Sequence, residues 1–224
     1  MMKKVRTKKK IVIVLELIFV VLLCIALLLL FRYQNTSTKR LPNRYAGNIA
    51  QVHSTIDYDG DGLDDQTDIL QGALDYIATQ PKYKSVYYNT GYSNDEYGVC
   101  TDVVGHALKS AGYDLMVLVQ EDLQTNPNGY SIDIPDQNID FRRVRNLNVY
   151  FSHRAISLTT DVYDIEQWQG GDIVIMNDHI GIVSDHRNQN GVPYIIHHNG
   201  PWQDRYEQDI LEERTNIIAH YRMS

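Results

Sequence analysis

The chain has 224 residues, of which 43% are hydrophobic and 22% charged, an ordinary globular composition. A chain of this size can bury a core without disulfide bonds. Its net charge of −7 is unevenly distributed: residues 1–32 hold seven Lys and Arg with one Glu, which leaves 14 basic against 27 acidic side chains, a balance of −13, in residues 33–224. Nucleic-acid binding needs a cationic surface. The acidic domain therefore argues against nucleic acid as a partner.

The N-terminus combines a basic segment, residues 1–10, with an apolar segment, residues 11–31, that only Glu16 interrupts. An apolar helix of about 20 residues spans the hydrocarbon core of a bilayer. Basic flanks stay on the cytoplasmic side. We therefore predict a cytoplasmic segment, a transmembrane helix and an extracellular C-terminal domain in a single-pass cell-membrane protein. Cleavage as a secretion signal is the alternative, although no small-x-small cleavage site follows the apolar segment.

After a polar stalk over residues 32–55, residues 56–224 are predicted to form one α+β domain. Apolar residues at helical spacing indicate a helix over residues 66–79 and a second helix from Cys100 to Ala111. Short β-branched runs predict strands at residues 172–176, 180–184 and 193–197. Their short connections favour an antiparallel sheet, against which the preceding helices pack.

Cys100 is the one cysteine that follows the apolar segment. Extracellular proteins normally use cysteines in pairs, so a solitary one is a core residue, an intermolecular link or a reactive thiol. Cys100 begins a predicted helix, where unpaired N–H groups and the helix dipole favour the thiolate. We therefore interpret it as a nucleophile, with burial in the core as the alternative.

His179 opens a predicted strand directly after a turn and is the candidate base for this thiol. A third residue should orient its imidazole. The next strand offers His197, His198 and Asn199 for that role. Successive strand residues point to opposite faces, so only one of the two histidines can face the site.

Several segments of this sequence, taken together, resemble a bacterial domain family of unassigned function: GVCTDVV, NIDFRRVRNL, GDIV, HIGIVS, YIIH and AHYR. That family belongs to the NlpC-type branch of the papain-like cysteine peptidases, and the resemblance covers residues 57–224. It implies a papain-like fold with Cys100, His179 and His197 as the catalytic residues. Many relatives cleave amide or peptide bonds in cell-wall stem peptides, so it also implies a peptidoglycan or peptide substrate.

The leading hypothesis is thus a membrane-anchored cysteine peptidase or amidase that needs no cofactor for catalysis. One alternative is an acyltransferase, in which an amine replaces water. The other is a non-catalytic, calcium-stabilised binding module at the cell surface.

The segment DYDGDGLDDQTD resembles the calcium loop of an EF-hand and leads directly into the helix, so that residues 57–79 form a loop-plus-helix unit. The glycine at its sixth position allows the sharp turn, and Ca²⁺ prefers oxygen ligands. We therefore predict a structural calcium site rather than a turn of acidic helix caps. The predicted ligands are Asp57, Asp59, Asp61, Leu63 (through its carbonyl), Asp65 and Asp68.

Two arginines in DFRRVRNL, Arg142 and Arg143, are candidate ligands for a substrate carboxylate, which a guanidinium binds in a bidentate manner. Internal pairing with Asp136 or Asp140 is the alternative.

Overall fold

The computed structural model describes residues 2–223, with side chains from Val12 onward. Helix α1 (Met2–Arg32) includes a stretch, Val12–Arg32, of 21 residues with mean hydropathy 3.4, long and apolar enough to cross a membrane. This helix is compatible with a single-pass anchor or with a signal sequence. Met1, Ser224 and the side chains of the predicted cytoplasmic segment, residues 1–10, lie outside the described part.

Residues 33–45, here named the strap, lie along the domain, although the sequence predicted a stalk over 32–55. The strap begins where Gln34 N–H donates to the carbonyl of Pro201 at 2.7 Å. Further along, Arg40 pairs with Glu207 at 3.0 Å, and Arg44 N–H donates to the carbonyl of Arg187 at 2.8 Å. The polar composition of this segment indicated a stalk exposed to solvent. Its polar groups instead form hydrogen bonds and an ion pair with the domain.

The domain contains five further helices, of which α2 and α3 match the two predicted ones within one residue at either end. Asp64 caps the first of them by accepting the N–H of Thr67, and Gly112 follows the second with φ +81°, a conformation that glycine adopts without strain. The helices are α2 (Asp65–Ala78), α3 (Cys100–Ser110), α4 (Leu115–Thr125), α5 (Gln137–Asp140) and α6 (Val144–Arg154), with 3₁₀ turns at Pro127–Gly129 and Leu211–Glu213.

Most strands join one antiparallel sheet of six strands in the order β3-β8-β4-β5-β6-β7. A separate two-stranded parallel ribbon precedes α3. The ribbon is β1 (Lys82–Tyr83) and β2 (Tyr97–Gly98); the sheet strands are β3 (Ile156–Ser157), β4 (Ile173–Met176), β5 (His179–Arg187), β6 (Pro193–Ile196), β7 (Glu207–Gln208) and β8 (Ile217–Arg222).

Alternation along β4 divides the core into two layers. Ile173 and Ile175 belong to the cluster shared with the helices, whereas Val174 and Met176 belong to a second cluster with Trp168 on the other face. The sequence prediction of a mixed helix and antiparallel-sheet domain is therefore confirmed.

Candidate active site

Cys100 is the first residue of α3, which packs against β5, and its sulfur lies near the backbone N–H of Ile180. Burial raises the pKa of the Cys100 thiol to about 11, and the N–H groups of Ile180 and Thr101 only partly offset that effect. The sequence had suggested a thiolate at the helix start. In the fold, loss of hydration outweighs the helix terminus, so the resting thiol is protonated at neutral pH.

His179 is the first residue of β5, and the neighbouring strands hold its ring through a chain of hydrogen bonds. Its Nε2 lies 2.7 Å from Nδ1 of His197, and Nε2 of His197 lies 2.9 Å from Oε1 of Gln208. The Gln208 side chain is itself oriented, because its Nε2 donates to Oδ1 of Asp204 at 3.0 Å.

These partners determine where the ring protons lie. An amide oxygen only accepts hydrogen bonds, so Gln208 selects the His197 tautomer with the proton on Nε2. Nδ1 of His197 is then an acceptor, and it takes the Nε2 proton of His179. Nδ1 of His179 is consequently unprotonated and available as a base.

The imidazole of His179 is neutral at physiological pH. Burial and the nearby Arg214 lower its pKa to about 4, with burial the larger effect. Burial, with His179 second, also holds the pKa of the fully buried His197 well below its usual range. The Cys100 thiol and the His179 imidazole are therefore both neutral.

The structure brings His197, rather than the two other predicted candidates, against His179. Asn199 is exposed, and its N–H donates to Oε1 of Gln203. His198 is 1% exposed and packs edge-on against Tyr83 and Tyr206. Neither ring nitrogen of His198 has a hydrogen-bond partner among the described residues.

Arg142 forms an internal ion pair, whereas Arg143 remains accessible. The guanidinium of Arg142 makes two bonds of 2.9 Å to Asp102 and donates to the carbonyl of Val86 at 2.6 Å, and both charged side chains are 2% exposed. Arg142 is thus committed to a carboxylate of α3, not to the predicted Asp136 or Asp140. Of the two candidate substrate ligands, Arg143 alone is exposed.

A cavity of about 840 Å³ opens beside Cys100. Its wall includes Arg143 and the turn residue Asp178, which precedes His179. It also includes Thr101 and Asn146, whose Oγ1 and Oδ1 are buried and have no hydrogen-bond partner within residues 2–223. Both atoms are buried, so neither is presented to the cavity.

The structure brings only some of the predicted calcium ligands together. One carboxylate oxygen from each of Asp57, Asp59 and Asp61 lies within 4.8 Å of the others. Asp65 faces elsewhere, because it accepts the N–H of Tyr58 at 2.8 Å and the hydroxyl of Tyr113. Asp65 was predicted as a ligand, but its carboxylate is used by Tyr58 and Tyr113 instead. The remaining carboxylate, Asp68, is buried in the first turn of α2.

The profile of the family described as "Domain of unknown function (DUF1287)" matches residues 70–223, more than half of the chain. The chain belongs to the DUF1287 family. A relative from Escherichia coli (strain K12), named "Uncharacterized protein YijF", is 38% identical over 167 residues, which cover 69% of this chain and 80% of that protein. No solved structure matches the chain significantly.

The DUF1287 match includes Cys100, His179, His197 and Gln208, whereas α1, the strap and the acidic loop lie before its first residue. The resemblance noted in the sequence is thus confirmed at the level of a family of unassigned function. Sequence reasoning missed Gln208 and Arg214. Neither stands in a motif, and only the chain reversal after β6 brings Gln208 to His197.

Proposed function

We propose that this protein is a membrane-anchored cysteine hydrolase that cleaves an amide or peptide bond on the outer side of the membrane. One observation carries the proposal. The chain of hydrogen bonds from Gln208 through His197 leaves Nδ1 of His179 free to accept a proton, at the start of β5, the strand against which α3 packs with Cys100 as its first residue.

In the proposed reaction, Nδ1 of His179 takes the Cys100 proton as the sulfur bonds to the substrate carbonyl carbon. The C–N bond then breaks, and the imidazolium returns the proton to the departing amine, which leaves a thioester on Cys100. Water attacks the thioester with the same base, and the acid is released. In this proposal the backbone N–H of Cys100, at the open start of α3, stabilises the oxyanion.

The electrostatics support general-base catalysis instead of a preformed ion pair. The thiol pKa of about 11 and the imidazole pKa of about 4 make the neutral pair the resting form. The proton therefore moves only when a substrate carbonyl accepts the sulfur. We expect kcat/KM to rise with pH through the pKa of His179 and to stay level until the thiol ionises.

The substrate that fits best is a peptide with a carboxylate, and we propose the stem peptide of peptidoglycan. A volume of about 840 Å³ suits a peptide fragment. Arg143, which is exposed and lines the cavity, can bind the substrate carboxylate. The motif resemblance to NlpC-type enzymes supports this substrate and a papain-like fold by analogy. The basic N-terminal flank of α1 supports an outward-facing domain.

The test uses the full chain in detergent and purified peptidoglycan, with released fragments identified by mass spectrometry. We expect Cys100→Ala to keep the wild-type melting temperature and to lose turnover. Cys24→Ala is the matched control, because Cys24 lies in α1 and should be dispensable. Turnover retained by Cys100→Ala would refute the proposal. Addition of an amine nucleophile separates hydrolysis from acyl transfer, because a transferase yields the amide product.

A non-catalytic binding module is the second candidate, and the protonated resting thiol favours it. It predicts that wild type and Cys100→Ala bind peptidoglycan fragments equally and that neither releases product.

A further inference from the structure

The acidic loop at residues 57–63 supplies three converging carboxylates before α2. Oxygens of Asp57, Asp59 and Asp61 lie within 4.8 Å of one another, and all three side chains are exposed. Gly62, at φ +99°, turns the chain so that its N–H donates to Oδ2 of Asp57 at 2.9 Å. Exposed carboxylates alone do not make a metal site, since acidic turns are common.

Asp68 supplies the second observation. Its side chain stands in the first turn of α2, is 7% exposed, and lies close enough to Asp57, Asp59 and Asp61 for their negative charges to act on it. Its Oδ2 is buried without a hydrogen-bond partner anywhere in residues 2–223. Burial of a carboxylate oxygen that has neither donor nor cation is unfavourable. A cation held by the loop supplies the missing partner.

We propose that the loop binds one Ca²⁺ through carboxylate oxygens of Asp57, Asp59, Asp61 and Asp68 and the carbonyl of Leu63. These five groups, with water or a second oxygen of one carboxylate, reach the six to eight oxygens that Ca²⁺ takes. An exposed loop with several charged oxygens suits Ca²⁺ better than Mg²⁺, which demands near-ideal octahedral geometry and keeps its water. Asp65 is not a ligand in this proposal, because it accepts hydrogen bonds from Tyr58 and Tyr113.

The ion would order the loop against the end of α3, the helix that Cys100 begins. Tyr58 in the loop stacks on Tyr113 with 4.2 Å between ring centroids, and Asp65 accepts the Tyr113 hydroxyl. Gly112 is in close contact with the loop, because a Cβ there would lie 2.8 Å from Cβ of Asp59. The proposed role of calcium is to stabilise the domain, so this proposal stands independently of the proposed hydrolase.

The experiment titrates calcium chloride into chelator-treated full chain in detergent, followed by calorimetry and by the melting temperature. We expect one saturable site with Kd at or below about 1 mM, the range of extracellular calcium modules, and a melting temperature that rises with Ca²⁺. Asp68→Asn should weaken binding at least about tenfold, because it removes a charged ligand. Asp75→Asn, an exposed change later in the same helix, is the matched control and should bind as wild type does.

If Asp68→Asn does not fold, the exposed Asp57→Asn replaces it, with the same expected loss. Terbium luminescence sensitised by Tyr58 provides a readout that needs no folded-state comparison between variants. The proposal is overturned if wild type shows neither heat nor a melting shift up to about 10 mM Ca²⁺. It is also overturned if folded Asp68→Asn binds with wild-type affinity.

Discussion

Replacement of Gln208 by Leu tests the proton arrangement on which the proposed mechanism depends. In the wild-type fold, Oε1 of Gln208 accepts the Nε2 proton of His197 at 2.9 Å. Leu removes that acceptor and leaves a buried N–H without a partner, at a cost of about 1–3 kcal/mol. The His197 tautomer with its proton on Nδ1 then becomes more stable, relative to the Nε2-protonated tautomer, by the same free energy. In that tautomer His197 donates to His179, whose own proton moves to Nδ1 and blocks the base.

Because each 1.4 kcal/mol corresponds to a tenfold change, we expect kcat to fall about 10- to 100-fold, with KM nearly unchanged. Gln208→Glu keeps an acceptor and should retain most of kcat. Its negative charge favours the imidazolium, so the acid limb of the pH–rate profile should move to higher pH. Asp204→Ala removes only the exposed residue that orients the Gln208 amide and should cost about threefold or less.

The assay is peptidoglycan hydrolysis, with ¹⁵N chemical shifts of the histidine rings as a readout that does not depend on activity. Wild-type spectra should show the His197 proton on Nε2. Two results would refute the reasoning: a wild-type His197 proton on Nδ1, or a Gln208→Leu variant with the wild-type kcat.

Three further predictions concern stability and reactivity. Arg142→Met should destabilise the fold by about 3–5 kcal/mol in urea unfolding, because Asp102 stays buried without its counterion; a loss below about 1 kcal/mol contradicts this. Burial lowers the pKa of His198 to about 4 from 6.5, so stability present above pH 6.5 is lost as pH falls towards 4. His198→Phe should abolish about 3 kcal/mol of that loss in unfolding measured at both pH values. Iodoacetamide should alkylate Cys100 more slowly than a free cysteine at pH 7, because the buried thiol is protonated. The alkylation rate should rise with pH up to about 11, the pKa of the thiol. Faster alkylation at neutral pH would show that the thiol ionises more readily than its burial implies.

The spacing of apolar residues along the sequence predicted the helices and strands that depend mainly on neighbouring residues. The apolar stripe of α2 and the helix that starts at Cys100 appear within a residue of their predicted bounds. The β-branched runs that became β4, β5 and β6 are continuous enough to identify the centre of the sheet. Strand β8 lies beside β4 only because the chain returns to it after β7, and no local signal encodes that return.

The candidate residues could be named from the sequence, but their environment could not. Cys100, His179 and His197 stand in motifs that can be read directly, and the fold places His197 against His179. The sequence showed a helix start at Cys100 and so favoured a thiolate, because burial cannot be read from neighbours in sequence. The partner of Arg142 was missed for a similar reason: Asp102 lies 40 residues away, whereas the expected acids were adjacent.

The strap limits how far the domain can travel from the bilayer. A free segment over residues 32–55 would reach up to about 80 Å when extended. In the fold, the connection between α1 and the domain is short, because Gln34 hydrogen-bonds to the domain two residues after α1 ends at Arg32. The rings of Tyr33 and Trp202 pack together beside that junction, with 5.1 Å between their centroids, and both side chains are half exposed. Tyr and Trp are enriched at the headgroup level of membranes, so their position fits a domain held near the bilayer. If α1 lies in a membrane, the cavity beside Cys100 stays within a thin layer at the membrane surface, and the proposed hydrolase would reach only substrates in that layer.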